Sequence, residues 1–524
     1  MDKTVGSFGP EAVGRASGPG QLIASERSPK AALFALFAFQ VFRMALFFGS
    51  AYNYYNHNVG TAWLLGIIFV HSFLDSKFYM KPNLMNAYLA FTVIFYYCRW
   101  VMGWGSPLTT IYKEDAPAWV RALKDVVWIG FLAIVGIRAL SRPRFDRNMP
   151  LWFTARGMAL VLLALIYLTL PTLALLYARG SVYDILLVDL RFPLEYVPII
   201  FLFPFILAGG SSLKYLRTFI PLVVLSLLFL GVERFSGRMT GFGGTGYWAR
   251  YGSIFGSPND FGLFMMLAIA ALLAFLTEKA LRWSFKTIVL LAACLVGLAS
   301  TISLSAVMSA AFTAIALIFF AKNKVKGALS VVGVVALLAG LYFAFPEAGV
   351  SRYLTARLEK FTNLADPSTF NHWNNIVTAQ EAISRFEPGE YLVGTFKSRE
   401  TLMLPETYYL RTLYVRGGAS LLILLSIMSL TLLEAHRRYR AALGDRMRRG
   451  LFLTAFLGVA GVAFACLFIP YLETFPSNFY FWFLVAIIWC EPMNERERVE
   501  FRASRPLQHV TAGKAIPPPQ AIAR

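Results

Sequence analysis

The sequence is short of charge, and most of the charge it has is of one sign. Charged residues make up 15% of its 524 residues against 57% hydrophobic ones, and 29 acidic residues face 49 lysines and arginines. That is too little polar surface for a soluble fold of this size. Cysteine and histidine are scarce too, at 4 and 5 residues. Cys98, Cys294, Cys466 and Cys490 lie inside or at the ends of apolar runs and form no CxxC pair. They read as small apolar packing residues, and their pattern supports neither a disulfide framework nor a cysteine metal site. The first 30 residues lack the apolar core and small-residue cut site of a cleavable signal, and their Gly, Ser and Ala content predicts a disordered tail. No internal repeat is visible. The net charge of +20 is dispersed among short segments between apolar runs, which argues against nucleic acid as a partner.

What fills the chain instead is apolar length. Runs of about 20 apolar residues, the length that crosses a hydrocarbon core of about 30 Å, recur along nearly the whole sequence. They predict an all-α polytopic membrane protein with about 14 transmembrane helices. The spans fall near 32–52, 60–75, 84–102, 118–140, 151–177, 194–210, 217–232, 259–277, 286–302, 304–321, 327–345, 412–434, 450–470 and 476–491. The apolar stretch 286–321 is too long for one crossing, so Ser300, Thr301, Ser303 and Ser305 mark a tight turn within it. The organisation predicted is a cytoplasmic tail (1–30), spans 1–11 (31–345), a large helical periplasmic loop (346–411), spans 12–14 (412–491) and a second cytoplasmic tail (492–524).

Alternating the spans from an inside N-terminus puts Lys77, Lys81, Arg142, Arg144, Arg147, Lys214, Arg217, Lys279, Arg282 and Lys286 on one side. Lys322, Lys324, Lys326 and the arginines at 437, 438, 440, 446, 448 and 449 fall there as well. The short connections opposite hold few: none at 53–59 or 471–475, with Lys113, Arg179 and Arg191 elsewhere. The positive-inside rule then places both termini in the cytoplasm, in a bacterial inner membrane whose lipids surround the chain. Arg43 and Lys124-Asp125 fall inside spans, where pairing or snorkelling suits them better than a substrate path.

Two outside segments are long and hold arginines. The first, 233–258, is glycine-rich, carries Arg234, Arg238, Trp248 and Arg250, and ends in Ser257-Pro258-Asn259-Asp260. That ending predicts a helix start capped by Asn259 or Asp260, and a helix N-terminus beside arginines favours an anion. Arginines on lipid headgroups, carried by a flexible glycine loop, explain the same residues.

In the second, Ala365-Asp366-Pro367 predicts a helix start, Trp373, Ile376, Val377, Ile383 and Phe386 keep helical spacing, and Pro388-Gly389 stops it. An earlier amphipathic turn runs through Tyr353, Leu354, Leu358 and Phe361, beside Arg352 and Arg357. A small helical lid on the membrane surface is predicted, whose aromatic residues stack on sugars or form an interfacial belt. The loop closes on Glu406, Thr407, Tyr408 and Arg411, where Glu406 and Arg411 could form an interfacial salt bridge.

These segments carry a family resemblance. Arg250-Tyr-Gly-Ser-Ile-Phe-Gly-Ser-Pro258-Asn259-Asp260-Phe-Gly262 resembles the arginine–glycine–"nPN" signature of the O-antigen ligase and O-antigen polymerase superfamily. The tryptophan-bearing loop helix followed by Gly389-Glu-Tyr-Leu-Val-Gly394 is similar to its "pl-x-G-x-G" segment. Ligases follow with His-Asn or His-Ser, nine residues and a glycine; here Glu406-Thr407, nine residues and Gly417 occupy that frame. An acid in place of the histidine is similar to the repeat-unit (Wzy-type) polymerases. Two departures stand beside it: Asn371-His372 replaces an arginine near the start of the loop helix, and Ser305 precedes Ala306 where an arginine is usual. Arg352, Arg357 or Arg411 could stand in for the missing cation.

The resemblance implies a GT-C-like integral-membrane glycosyltransferase with its active site facing the periplasm. It would join undecaprenyl-diphosphate-linked oligosaccharides, as donor and acceptor, without nucleotide, metal or other cofactor, alongside a chain-length-regulating membrane protein. The sequence agrees in having no DxD motif in an outside loop. Arg250 first, then Arg238 or Arg411, would stabilise the departing diphosphate, with Arg352, Arg357 and Asn259 as further binding residues. Glu406 first, then His372, would act as general base, and Trp248, Trp373 and Tyr408 would contact sugar. A surface-glycan ligase is the nearest rival and a lipid-linked oligosaccharide transporter a more distant one.

Overall fold

The computed structural model describes residues 149–174, 196–207, 257–301, 303–344, 367–395, 407–442, 444–474, 477–494 and 497–498, with isolated positions between 212 and 231. The chain divides into two units, Met1–Pro143 with Lys214–Phe261 and Arg144–Leu213 with Gly262–Arg524. Nearly all of the described residues belong to the second. The predicted spans before 149, with Arg43, Lys124, Asp125 and Cys98, lie outside the described residues.

Every element among the described residues is helical: α1 (Pro150–Phe153), α2 (Ala155–Ala174), α3 (Ile199–Leu207), α4 (Pro258–Thr277), α5 (Phe285–Ser300), α6 (Leu304–Phe320), α7 (Lys324–Ala344), α8 (Pro367–Ser384), α9 (Pro388–Val393), α10 (Tyr408–Ala441), α11 (Arg446–Ala465) and α12 (Ser477–Cys490). A 3₁₀ turn, Tyr471–Glu473, joins the last two. Three of them, α4, α10 and α11, are long and apolar enough to cross a membrane, and α5, α6 and α12 are shorter apolar helices. Apolar runs become helices in such a protein because hydrocarbon offers the backbone no other hydrogen-bond partner. The predicted break within 286–321 falls between α5 and α6, where Ser303 caps α6 by accepting from the Ala306 N–H.

Two local expectations need correction. Asn259 and Asp260 lie inside α4, and Ser257 stands before it, accepting from the Asp260 N–H at 3.3 Å. With Pro258 at the first helical position the capping place falls at Ser257, two residues before Asn259. Pro388-Gly389 opens α9 as well as closing α8. The missing proline N–H is harmless at a helix start, and Glu387 and Glu390 form a reciprocal capping box around it.

Packing is apolar inside and out. α12 is buried along its whole length and α11 along nearly all of it. Phe483 meets Phe203 edge-on at 5.5 Å, and Phe464 stacks on Phe312 at 4.5 Å. Small residues let α11 approach its neighbours: a Cβ on Gly458 or Gly461 would stand 2.6 Å from Leu484 or Thr313. The outward faces are apolar too, with Met158, Leu162 and Leu165 on α2, Val325, Leu329 and Val332 on α7, and Leu422, Leu425 and Leu433 on α10 all exposed. Stripes of exposed leucine and valine at helical spacing suit lipid and would be a liability in water.

The two ends of the unit differ. At one, Arg449 pairs with Glu278 at 2.9 Å, Tyr439 Oη donates to Glu278 at 2.7 Å, and the Lys322 N–H donates to Tyr439 Oη. This gathers the Lys- and Arg-bearing turns 278–284, 321–324 and 436–449. The predicted tail after 492 starts as a packed segment here, because Glu497 is buried between Arg438 (3.3 Å) and Arg448 (3.0 Å). The opposite end holds the start of α10, the turn between α5 and α6, and Tyr471–Glu473.

Candidate active site

Helix α10 is 34 residues long but is broken at Gly417, whose φ of 77° and ψ of 172° only glycine adopts with ease. The residue is forced by what crosses it. A Cβ on Gly417 would stand 2.2 Å from the Leu392 carbonyl oxygen. Gly394, which ends α9 with φ 80°, is in the reciprocal position: its Cβ would stand 2.3 Å from the Val415 carbonyl oxygen. Thr395 then donates through both its N–H (3.1 Å) and its Oγ1 (3.2 Å) to the Tyr414 carbonyl. Backbone thus lies directly on backbone, and the two glycines singled out in the sequence, Gly394 and Gly417, interlock.

Helix α8 fastens the same place with side chains. Ile383 is buried with Tyr414 and Val415, and Phe386, Leu410 and Leu413 pack around them. The loop helices are therefore anchored to α10 over the two turns before its break.

Arg416 immediately precedes that break. It is 2% exposed and donates from Nη1 to Tyr167 Oη of α2 at 3.1 Å, while Nη2 lies 3.9 Å from Glu473. Glu473 also meets Arg411 Nε, at 2.6 Å, where the arginine side chain is 20% exposed. Tyr167 Oη stands 3.5 Å from Tyr408 Oη, and the Tyr408 N–H donates to the Cys466 carbonyl at 3.0 Å. Tyr471, in the same turn as Glu473, shares a 2.7 Å hydrogen bond with Ser305 at the start of α6. Four segments distant in sequence so build one polar cluster, buried at Arg416 and open to solvent at Arg411.

Two guanidiniums share one carboxylate within this cluster. Burying such a group is costly, so the geometry must be good and the charge is rarely there for stability alone. A guanidinium at a half-open edge offers forked, charge-assisted hydrogen bonds to a phosphate or carboxylate, and the phenol hydroxyls suit a polar ligand.

Of the residues predicted from sequence, Arg411 and Tyr408 are in the cluster. Tyr408 is 2% exposed, which leaves no ring face for a sugar; its contribution is the hydroxyl held against Tyr167. Glu406, the partner first considered for Arg411, lies outside the described residues, as do Arg238, Trp248, Arg250, Arg352 and Arg357. Asn259 is half-buried in the first turn of α4, and His372 lies in the second turn of α8. Trp373 beside it is 62% exposed, so its ring is available for stacking.

Sequence reasoning passed over Arg416, Glu473 and Tyr167. The signal for the first was a lone arginine inside a predicted span, which is expensive unless it has a task. For Glu473 it was an acid in a connection between two apolar runs, noted only for its lack of lysine and arginine.

Among the described residues the helices are those of a membrane protein, three of them long and apolar enough to cross a membrane, and the buried cluster is a polar site at one end. No protein-family model matches the chain, and no curated protein matches it either.

Proposed function

We propose that the chain is an integral-membrane glycosyltransferase of the O-antigen ligase and polymerase type, acting as a repeat-unit polymerase for a surface polysaccharide such as an O-antigen, capsule or exopolysaccharide. In this reading about 14 helices of GT-C-like arrangement cross a bacterial inner membrane. Both termini are cytoplasmic, and the end with the broken helix faces the periplasm. The observation that carries the reading is the interlock of Gly394 with Gly417 beside the buried Arg416–Glu473–Arg411 cluster. The two glycines come from the separate segments whose resemblance suggested the activity, and they meet where an anion-binding group stands.

The reaction follows from the leaving group. An acceptor sugar hydroxyl attacks C1 of the donor, the C1–O bond to the diphosphate breaks, and the bonding pair leaves on the diphosphate oxygen. Glu406 takes the hydroxyl proton, with His372 as the second choice, and attack opposite the leaving group inverts C1. Arg250, Arg238 and Arg411 stabilise the charge that develops on undecaprenyl diphosphate. Arg416 holds Glu473 in place against Arg411.

The test is reconstitution with a lipid-linked repeat unit. Arg250→Ala should leave single repeats on the carrier, and Glu406→Gln should slow polymerisation by about 10²–10⁴-fold. A normal polymer ladder from well-folded Arg250→Ala protein would end the assignment. In cells, long polymer stranded on the carrier after gene deletion would identify a ligase instead; single repeats identify the polymerase. Loss of polymer with the lipid-linked repeats trapped on the cytoplasmic side would identify a transporter.

A further inference from the structure

The basic end of the unit holds a cavity of about 390 Å³ that the proposed chemistry does not use. Four cations from three separate segments line it: Lys279 and Arg282 from the turn after α4, Lys326 from the first turn of α7, and Arg446 from the start of α11. Nearby Arg449 is paired with Glu278 at 2.9 Å, whereas these four form no ion pair among the described residues. Beneath them a 3.1 Å hydrogen bond between Thr277 and Ser330 joins α4 to α7. Trp283 forms one wall, its ring tip 3.5 Å from where a Cβ on Gly333 would stand.

Lys279 sits there at a conformational cost. It ends α4 with φ of 56°, the place after a helix normally given to glycine, and the Ala280 N–H closes the turn onto the Phe275 carbonyl at 2.9 Å. A lysine kept at a glycine position places an ammonium where three other cations already gather. Apolar residues share the lining: Leu276, Leu281 and Leu329 stand with the cations, and Val325 and Val332, one turn either side of Leu329 on the same face of α7, are 68% and 60% exposed.

We propose that this cavity binds the phosphodiester headgroup of an anionic phospholipid, with its acyl chains along the exposed face of α5 and α7. Charge complementarity selects the headgroup, and continuity with the lipid-facing stripe selects a lipid over a soluble anion. Trp283, half-exposed in the cavity wall, is of the residue type enriched between headgroup and hydrocarbon. The inference rests on the membrane character of these helices and is independent of the glycan chemistry.

The experiment measures lipid retained by the purified full chain, by native mass spectrometry, from mixed phosphatidylglycerol and phosphatidylcholine. The wild type should retain phosphatidylglycerol selectively. The double substitution Arg282→Gln with Arg446→Gln should weaken that retention by about 25-fold, about fivefold per cation, and leave phosphatidylcholine unchanged. Lys279→Gly covers a failure of the double variant to fold, since it relieves the left-handed backbone. Its retention should drop about fivefold while its melting temperature rises. Unchanged selectivity in the folded variants would overturn the proposal. So would displacement of the lipid by millimolar inorganic phosphate, which would make the cavity a site for free anions.

Discussion

Replacing Gly417 with alanine tests the interlock on which the site depends. The backbone at this position, φ 77° and ψ 172°, costs a non-glycine residue about 1–3 kcal/mol. The new methyl would also stand 2.2 Å from the Leu392 carbonyl oxygen, and a backbone obstacle cannot rotate aside. α9 must therefore lift, which forfeits both Thr395 hydrogen bonds to Tyr414, about 1 kcal/mol each. The expected loss is about 3–5 kcal/mol, confined to the contact between the loop helices and α10. Trypsin reads it locally: Arg385, exposed at the end of α8, should be cleaved much faster while the helical circular dichroism signal barely changes. Gly394→Ala should behave alike, its Cβ being 2.3 Å from the Val415 carbonyl oxygen. Gly389 belongs to the same motif, but a Cβ there would meet nothing within 4 Å, so Gly389→Ala should be silent. Equal protection of Arg385 in all three variants would refute the reasoning.

Further outcomes are expected elsewhere. A double-mutant cycle between Arg411→Gln and Glu473→Gln, read by thermal unfolding in detergent, should give a coupling of about 0.5–3 kcal/mol; additive effects would mean the 2.6 Å pair contributes nothing. Cys294, Cys466 and Cys490 are free and buried, out of reach of a reagent in water. In a Cys98→Ser background a maleimide should label none of the three until the protein is denatured, and rapid labelling of the native protein would contradict the packing of α5, α11 and α12.

How much was legible in the sequence depended on the range of the signal. Hydropathy located the described helices because a lipid-facing surface relaxes the need for alternation, leaving apolar length as the cue. The break between α5 and α6 was readable because the Ser303 cap is a local device, and local devices leave local residues behind. Pro388 misled for the same reason: a proline marks a helix boundary but does not say on which side the next helix lies. The kink at Gly417 was invisible because its cause, the α9 backbone crossing it, lies more than twenty residues away in sequence. Arg416 was hidden differently, its charge averaged away in a span that is otherwise apolar, and only its contacts with Tyr167 and Glu473 reveal why it can be there.

Those contacts raise the question of whether Arg411, Arg416 and Glu473 support the fold or the chemistry, and the cost of burying charge separates the two. Removing Glu473 leaves the buried Arg416 unmatched and should destabilise by about 3–5 kcal/mol in either case, so that single variant cannot decide. Replacing all three with methionine removes every charge while keeping similar volume, and such replacements are often neutral or stabilising by about 1–4 kcal/mol. If the cluster serves the fold, the triple variant should be as stable and as active as the parent. If it serves the anionic leaving group, the triple variant should be stable and yet form no polymer, because the barrier, not the fold, has lost its support. A stable and fully active triple variant would remove these residues from the proposed site, leaving the chemistry to Arg250 and Glu406.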